Sequence, residues 1–214
     1  MASNISKQHF NYNFKDNTTT DIALLIQAIN LIGSNLIGLE LGTLKGESAM
    51  TILHNCSIKK LYIVDNWKPY SDYLKSSPDG LAAYHVPECY QEVNEFITRN
   101  YIKYSGQSEK VEIIKEESMT AVKKIKNEDL DFIFFDAMMT EEQTYREAMA
   151  YYSKIKKEDS FVFSGGVSQS IILNTHLRTH FPNISITPHG YDGGISLSLD
   201  RDWETNESSF LIFE

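Results

Sequence analysis

The sequence predicts a single α/β domain over residues 1–214, built on a doubly wound sheet of five parallel strands with helices on both faces. An antiparallel, β-rich C-terminal hairpin is expected to complete the sheet. The first supporting observation is that short apolar runs alternate with helix-patterned segments. The second is the run 130–135, whose apolar centre indicates a strand buried on both faces. The third is a tail of consecutive period-two runs, which indicates antiparallel pairing at one edge.

The individual elements follow from local patterns. Residues 1–18 are polar and aromatic without a clear period, so we expect an irregular N-terminal arm. Apolar residues at helical spacing predict a first helix over 19–32. Strands and helices are then predicted alternately over 36–41, 48–54, 61–65, 88–104, 111–114, 118–126, 130–135, 141–157, 160–163 and 168–180. The tail contributes three strands, over 184–187, 195–199 and 209–213.

One connection is too long for a tight turn between a strand and a helix. Residues 66–87 contain three prolines and several tyrosines. Long structured loops of this kind usually serve a function. We interpret this segment as an insertion over a ligand site. In the helix that follows, Tyr90, Val93, Phe96, Ile97 and Tyr101 recur at helical spacing.

Composition narrows the functional class. The formal charge is −9, from 20 basic and 29 acidic residues, whereas duplex nucleic-acid binders usually carry a basic excess. We therefore expect no nucleic acid among the partners. No apolar stretch approaches the length of a membrane span, and the first residues lack the apolar core of a secretory signal. These features favour a cytoplasmic protein without membrane contact, and a homo-oligomer is left open.

Residues 36–46, Leu-Ile-Gly-Leu-Glu-Leu-Gly-Thr-Leu-Lys-Gly, form the most informative stretch. A strand ends near Glu40, and Gly42 and Gly46 allow a sharp turn into the next helix. The second strand ends in Asp65. Ligands of such sheets bind beyond the carboxyl ends of the strands, where strand order reverses. Two strand ends that each carry a carboxylate suit a nucleoside, because its ribose offers hydroxyl donors.

The chain resembles the class I S-adenosylmethionine-dependent methyltransferases, which have a Rossmann-like fold. Glu40-Leu-Gly-Thr-Leu-Lys-Gly46 matches the first motif of that family, and Asp65 matches the acid that ends its second strand. Asp65-Asn66-Trp67 resembles the Asp-x-Trp of a small-molecule O-methyltransferase subgroup. Glu117-Ser118 stands where the family places its adenine contacts, and 130–136 resembles the fourth motif. The resemblance covers about residues 35–165 and agrees with the β-rich tail, which in this family is a reversed hairpin.

The resemblance implies S-adenosylmethionine as cofactor and a set of contacts to it. Glu40 would face the amino group, Asp65 would accept from both ribose hydroxyls, and Trp67 would lie against adenine. The implied cofactor-binding residues are Glu40, Gly42, Thr43, Gly46, Asp65, Asn66, Trp67, Glu117, Ser118 and Asp136. Each has a plainer alternative: a turn for the glycines, a solvent-exposed strand end for Glu40, helix caps for Asp65 and Ser118, and packing under the insertion for Trp67.

The sequence assigns no catalytic base. Asp136, His85 and His189 are weak candidates, because each falls at a strand end or in a loop that can face the cleft. His176 and His180 have the spacing of a metal pair on one helix, but no third ligand follows, and we predict a surface helix face instead. The fifth strand ends in Ser164-Gly165-Gly166-Val167 without an acid, so no metal site is predicted.

The resulting hypothesis is methyl transfer from S-adenosylmethionine to a small-molecule acceptor, at oxygen rather than at nitrogen or carbon. The tyrosine-rich insertion 66–87 is then the candidate lid over the acceptor site. One alternative is a nucleoside-binding module on the same fold that does not catalyse transfer. Another is a dinucleotide-dependent oxidoreductase. Glu40 argues against that alternative, because a carboxylate there repels a pyrophosphate and attracts a sulfonium or ammonium cation.

Overall fold

A computed structural model of the chain describes residues 20–69, 87–137, 141–156, 160–165, 184–189, 194–199 and 208–213. The strands after residue 159 are described by their backbone. Three predicted features lie outside the described residues. They are the arm 1–18, positions 70–86 of the insertion, and the helix 168–180.

The described elements alternate in the predicted order. Helices α1 to α5 span Thr20–Ile32, Glu47–Asn55, Glu88–Ser105, Ser118–Ala121 and Glu141–Tyr151. Strands β1 to β8 span Leu36–Leu41, Ile58–Val64, Val111–Ile114, Phe132–Phe135, Ser160–Gly165, Ile184–His189, Gly194–Leu199 and Ser208–Phe213. The bounds of β1 and β3 match the prediction. Helix α4 is shorter than predicted, because a 3-10 turn, Val122–Lys124, replaces its second half.

The main sheet has the strand order β3-β2-β1-β4-β5-β7. Strand β1 is central and pairs in parallel with both β2 and β4, so that Glu40 lies between Ile63 and Phe134. Strands β3 and β5 extend the parallel arrangement on the two sides. The prediction of an α/β parallel sheet is therefore confirmed. Strand order reverses between β1 and β4, which places a ligand crevice beyond the carboxyl end of β1.

Two apolar clusters cover the two faces of this sheet. Leu39 and Leu41 of β1 pack with residues of α4 and α5, including Ala121 and Tyr151. Leu36, on the opposite face of β1, belongs to a second cluster with residues of α1, α2 and α3. Because successive side chains of a strand point to opposite faces, one short strand contributes to both clusters. Among the described helices, none is long and apolar enough to cross a membrane.

The predicted C-terminal hairpin is wrong. Strand β7 pairs antiparallel with β5, whereas β6 and β8 pair in parallel in a separate two-stranded sheet. The three strands were correctly located, since period-two alternation identifies a strand. Alternation does not determine the partner of a strand, however, and the free edge of β5 accepts β7 rather than leaving consecutive strands to pair with each other.

Helix α3 packs Tyr101 and Ile102 against the core but exposes three other residues of its apolar pattern. Tyr90, Val93 and Phe96 are 59%, 53% and 65% exposed, whereas the polar residues Gln91, Asn94 and Thr98 of the same helix are buried. One of these polar residues contacts the loop between β1 and α2. The single hydrogen of the Thr98 hydroxyl has two acceptors within reach, the Leu44 carbonyl of that loop at 3.1 Å and the Asn94 carbonyl of the helix at 3.0 Å.

Candidate active site

The loop between β1 and α2, residues 42–46, turns on two glycines with positive φ. Gly42 has φ 80° and Gly46 has φ 78°. A Cβ at Gly42 would lie 2.3 Å from the Asp136 carbonyl oxygen, and a Cβ at Gly46 would lie 3.0 Å from Thr98 Cγ2. Both glycines are therefore needed by the fold itself, through backbone conformation and close approach. The same turn brings the backbone of the β4 end against the loop.

Glu40 is completely buried at the end of β1. Thr43 donates its hydroxyl to Glu40 Oε2 at 2.8 Å, and Ser48 donates its hydroxyl to Oε1. The alternative of a solvent-exposed strand end is therefore wrong. Burial raises the pKa of Glu40 from 4.5 to about 8, because the charged form loses its hydration and the charges of Asp136 and Asp65 add to the effect. Among the described residues, no Lys, Arg or His forms an ion pair with Glu40.

Asp65 fixes the loop through backbone amides. Its Oδ2 accepts from the Thr43 amide at 2.9 Å and from the Leu44 amide at 3.0 Å. Its Oδ1 accepts from the Trp67 amide at 2.7 Å. Burial raises the pKa of Asp65, whereas these three hydrogen bonds oppose the increase. A carboxylate has about four lone-pair sites, so about one acceptor site remains for a ligand.

Trp67 follows Asp65 and is 4% exposed. Its indole N–H donates to the Leu44 carbonyl at 2.8 Å, and the Arg99 guanidinium lies 6.0 Å from its ring centroid. These contacts are with the loop and with α3, and packing under the insertion is not tested because positions 70–86 lie outside the described residues. The contacts hold the loop from below, and the predicted contact with adenine stays a prediction.

The end of β3 is joined to the end of β2 by two side chains. Asn66 donates its amide to Glu117 Oε1 at 2.6 Å. Glu117 is the residue that caps α4 at its N-terminus, and it does so without a side-chain hydrogen bond. The prediction that Ser118 caps this helix is therefore wrong, because its hydroxyl has a different partner.

A buried polar cluster behind Ser118 was missed by the sequence analysis. It consists of Ser118 together with Gln143, Glu147 and Tyr151 of α5. The Ser118 hydroxyl donates to Glu147 Oε1, the Gln143 amide donates to the same oxygen at 2.8 Å, and the Tyr151 hydroxyl donates to the Ser118 carbonyl at 2.6 Å. Positions 143, 147 and 151 are four apart, so they share one helix face, and this spacing was the available signal.

Glu147 is 2% exposed. Burial raises its pKa, and the negative charge of Glu117 acts in the same direction. Burial also raises the pKa of the Tyr151 hydroxyl. The cluster therefore holds Ser118 both at its hydroxyl and at its carbonyl.

Asp136 completes the polar edge at the end of β4. Its backbone amide donates to the Leu41 carbonyl at 2.7 Å, which places it beside the β1 end, and its side chain is half-buried. Its charge is close enough to Glu40 to raise the pKa of that residue. Glu40, Asp65 and Asp136 therefore converge, as expected from their positions at the carboxyl ends of neighbouring strands.

The histidine candidates are not brought into this arrangement by the described part of the chain. His85, His176 and His180 lie outside the described residues, and His189 is described by its backbone at the end of β6. In the described ranges, no group of three or more His, Cys, Asp or Glu residues could hold a metal ion.

Comparison with known proteins gives the family. A family model described as a methyltransferase domain matches residues 39–164, which is more than half of the chain and includes strands β2 to β4, parts of β1 and β5, the loop and all of the acids above. No curated protein matches the sequence.

Several solved structures share the fold at low sequence identity. The cofactor-bound Rv0187 protein from MTB is 12% identical over 85% of this chain and 75% of its own, with a TM-score of 0.52. A Staphylococcus aureus protein assigned as a caffeoyl-CoA O-methyltransferase is 16% identical over 73% of this chain and 68% of its own, with a TM-score of 0.50. A Bacillus cereus O-methyltransferase in complex with SAH is 16% identical over 84% of this chain and 74% of its own, with a TM-score of 0.49.

The match over residues 39–164 covers the glycine loop, the acidic strand ends and the parallel sheet that carries them. The chain therefore belongs to the methyltransferase-domain family and is an S-adenosylmethionine-dependent methyltransferase.

Proposed function

We propose that this enzyme transfers the methyl group of S-adenosylmethionine to a hydroxyl oxygen of a small-molecule acceptor. The observation that carries the proposal is the buried Glu40 carboxyl, which shares the crevice with Asp65 and Asp136. Among the described residues, no cation forms an ion pair with Glu40 or Asp65. A buried acid without a counter-charge is costly unless a ligand supplies that charge.

The charge pattern favours a cationic nucleoside over a dinucleotide. S-adenosylmethionine carries an ammonium group and a sulfonium, and its sulfonium supplies an already activated methyl group. In our proposal Glu40 faces the ammonium group, directly or through water, and its ionised form is stabilised by that contact. A pyrophosphate at the same position would be repelled.

Asp65 can bind fewer ribose hydroxyls than its sequence position suggested. Three backbone amides occupy most of its acceptor capacity, and one site at Oδ1 is left. We therefore assign to Asp65 one ribose hydroxyl rather than two, and we assign the other to water or to Asn66. Glu117 and Ser118 form the adenine side of the site, and Asp136 faces the methionine end or the acceptor.

In our proposal the enzyme accelerates the transfer chiefly by aligning the acceptor with the cofactor. Because the sulfonium is activated, holding the acceptor oxygen in line with the methyl carbon and the sulfur can supply several kcal/mol. A hydroxyl acceptor must also lose a proton, and no described residue is assigned as the base. The relation to a protein named as a caffeoyl-CoA O-methyltransferase makes hydroxyl compounds the first class to test.

Two experiments test the proposal. In a thermal-shift comparison, S-adenosylhomocysteine at 100 times its dissociation constant should stabilise the protein by about 2.7 kcal/mol, whereas nicotinamide dinucleotide should not. Stabilisation by the dinucleotide alone would overturn the cofactor assignment. A panel of phenols, catechols, sugars, amines and carbon acids with carbon-13 methyl-labelled cofactor then identifies the methylated atom from the methyl chemical shift. Methylation only of amines or carbon acids would overturn the oxygen assignment.

A further inference from the structure

The hydrogen bonds of Ser118 differ from those of a serine that only caps a helix. Helix α4 begins at Ser118 and has four residues. A serine at a helix start usually accepts from backbone amides with its hydroxyl. Here the hydroxyl donates instead to Glu147, from a different helix.

Glu147 restricts what Ser118 can offer to a ligand. A serine hydroxyl has one hydrogen and two acceptor sites. Its hydrogen is directed to Glu147 Oε1, and Gln143 Nε2 lies 3.3 Å from its oxygen as a donor to one acceptor site. Oε1 of Glu147 also accepts from the Gln143 amide, so it is the acceptor of this pair whether or not the other carboxyl oxygen carries a proton. Ser118 therefore presents one acceptor site and no donor.

The position of Ser118 is also fixed from the other side. Its neighbour Glu117 is bonded to Asn66, and Asn66 follows the residue that binds the amides of the glycine loop. Together with the Tyr151 contact to the Ser118 carbonyl, this ties the corner after β3 to both α5 and the cofactor loop.

We propose that Glu147 is a positioning residue for cofactor specificity: by holding the hydrogen of Ser118, it makes Ser118 an acceptor that favours a purine with a 6-amino donor over one with a 6-carbonyl group. This inference rests on the proposed adenine-side role of Ser118. It adds that the site should distinguish adenine from hypoxanthine, and that this distinction should depend on Glu147.

The test compares S-adenosylhomocysteine with S-inosylhomocysteine, in which a carbonyl oxygen replaces the 6-amino group. Dissociation constants are measured by calorimetry for the full chain and for Glu147→Leu, Ser118→Ala and Asp131→Asn. The unsubstituted protein should prefer the adenine compound by about tenfold, the equivalent of one good hydrogen bond. Glu147→Leu removes the acceptor and frees the hydrogen of Ser118, so most of the preference should be lost.

The controls separate this effect from general loosening. Asp131 is also a buried carboxyl, but it lies at the amino ends of β1 and β4, away from the carboxyl ends that carry the site, so Asp131→Asn should keep the preference. If Glu147→Leu does not fold, Glu147→Met removes the same acceptor with a side chain of similar length. Ser118→Ala removes the acceptor site itself and should also lose the preference. An unchanged ratio in the Glu147 variant or in Ser118→Ala, or an equal loss in Asp131→Asn, would overturn the proposal. Absence of any S-adenosylhomocysteine binding in the unsubstituted protein would instead overturn the proposed function, and with it the basis of this inference.

Discussion

Asp65 holds the Thr43 amide at 2.9 Å, and through this contact the end of β2 determines the shape of the loop that follows β1. The same carboxylate also accepts the amides of Leu44 and Trp67. We expect Asp65→Ala to leave these three amides without their acceptor. Unfolding in urea should show a loss of about 1–3 kcal/mol, and S-adenosylhomocysteine should bind more weakly.

A matched control for this substitution lies at the other end of the sheet. Asp131 accepts the Ile37 amide at 2.7 Å and the Lys156 ammonium at 2.6 Å, so it too is a buried acid that supports β1. Asp131→Ala should lower the free energy of unfolding but leave cofactor affinity unchanged in the folded protein. Equal losses of affinity in the two variants would refute a local role for Asp65.

Stability should depend on pH through Glu40. Its pKa is 4.5 in the unfolded chain and about 8 in the folded protein, so between these values the folded state keeps a proton that the unfolded state releases. The free energy of unfolding therefore falls as pH rises through this window, by at most about 1.4 kcal/mol per pH unit.

Glu40→Gln removes this titration and should flatten the pH profile in urea unfolding measured without cofactor. Asp65 and Glu147 also have raised pKa values, so a residual slope is expected. The difference between the two profiles isolates Glu40. A variant profile parallel to that of the unsubstituted protein would show that Glu40 is ionised in the folded state throughout.

The parallel sheet and the convergence of the acids could be predicted from the sequence, because both depend on local patterns. Glu40 and Asp65 each follow an uninterrupted apolar run, and parallel strands bring their carboxyl ends to one edge. Contacts between distant segments were not predictable. The partner of β7, the inward polar face of α3 and the Ser118–Glu147 pair all depend on which surfaces meet, which neither period nor spacing encodes.

The loop needs a glycine at position 42 for two reasons that can be measured separately: the positive φ and the close approach of the Asp136 backbone. Gly42 and Gly106 have similar φ values, 80° and 74°. A Cβ at Gly42 meets the Asp136 carbonyl oxygen at 2.3 Å, whereas a Cβ at Gly106 meets nothing within 4 Å. Gly106→Ala should cost only the left-handed strain, about 1–2 kcal/mol. Gly42→Ala should cost clearly more in the same urea titration, and equal losses would show that the close approach to β4 is unimportant.

The Leu44 carbonyl accepts two hydrogen bonds, and their contributions to the stability of the loop can be measured separately. It accepts from the Trp67 indole at 2.8 Å and from the Thr98 hydroxyl at 3.1 Å. Trp67→Phe and Thr98→Val each remove one donor and leave the other, so each should lower the free energy of unfolding by about 1 kcal/mol through this carbonyl.

The double variant leaves the carbonyl without either of these donors, and the phenylalanine and valine that replace the buried Trp67 and Thr98 side chains still cover it, so it carries the larger desolvation penalty. The loss in Trp67→Phe/Thr98→Val should therefore exceed the sum of the two single losses by about 0.5 kcal/mol or more in a double-mutant cycle. Since the aromatic packing lost at Trp67 appears in both the single and the double variant, the cycle cancels it. Strict additivity would mean that the two donors act independently, and the loop would then be held in place chiefly by Asp65.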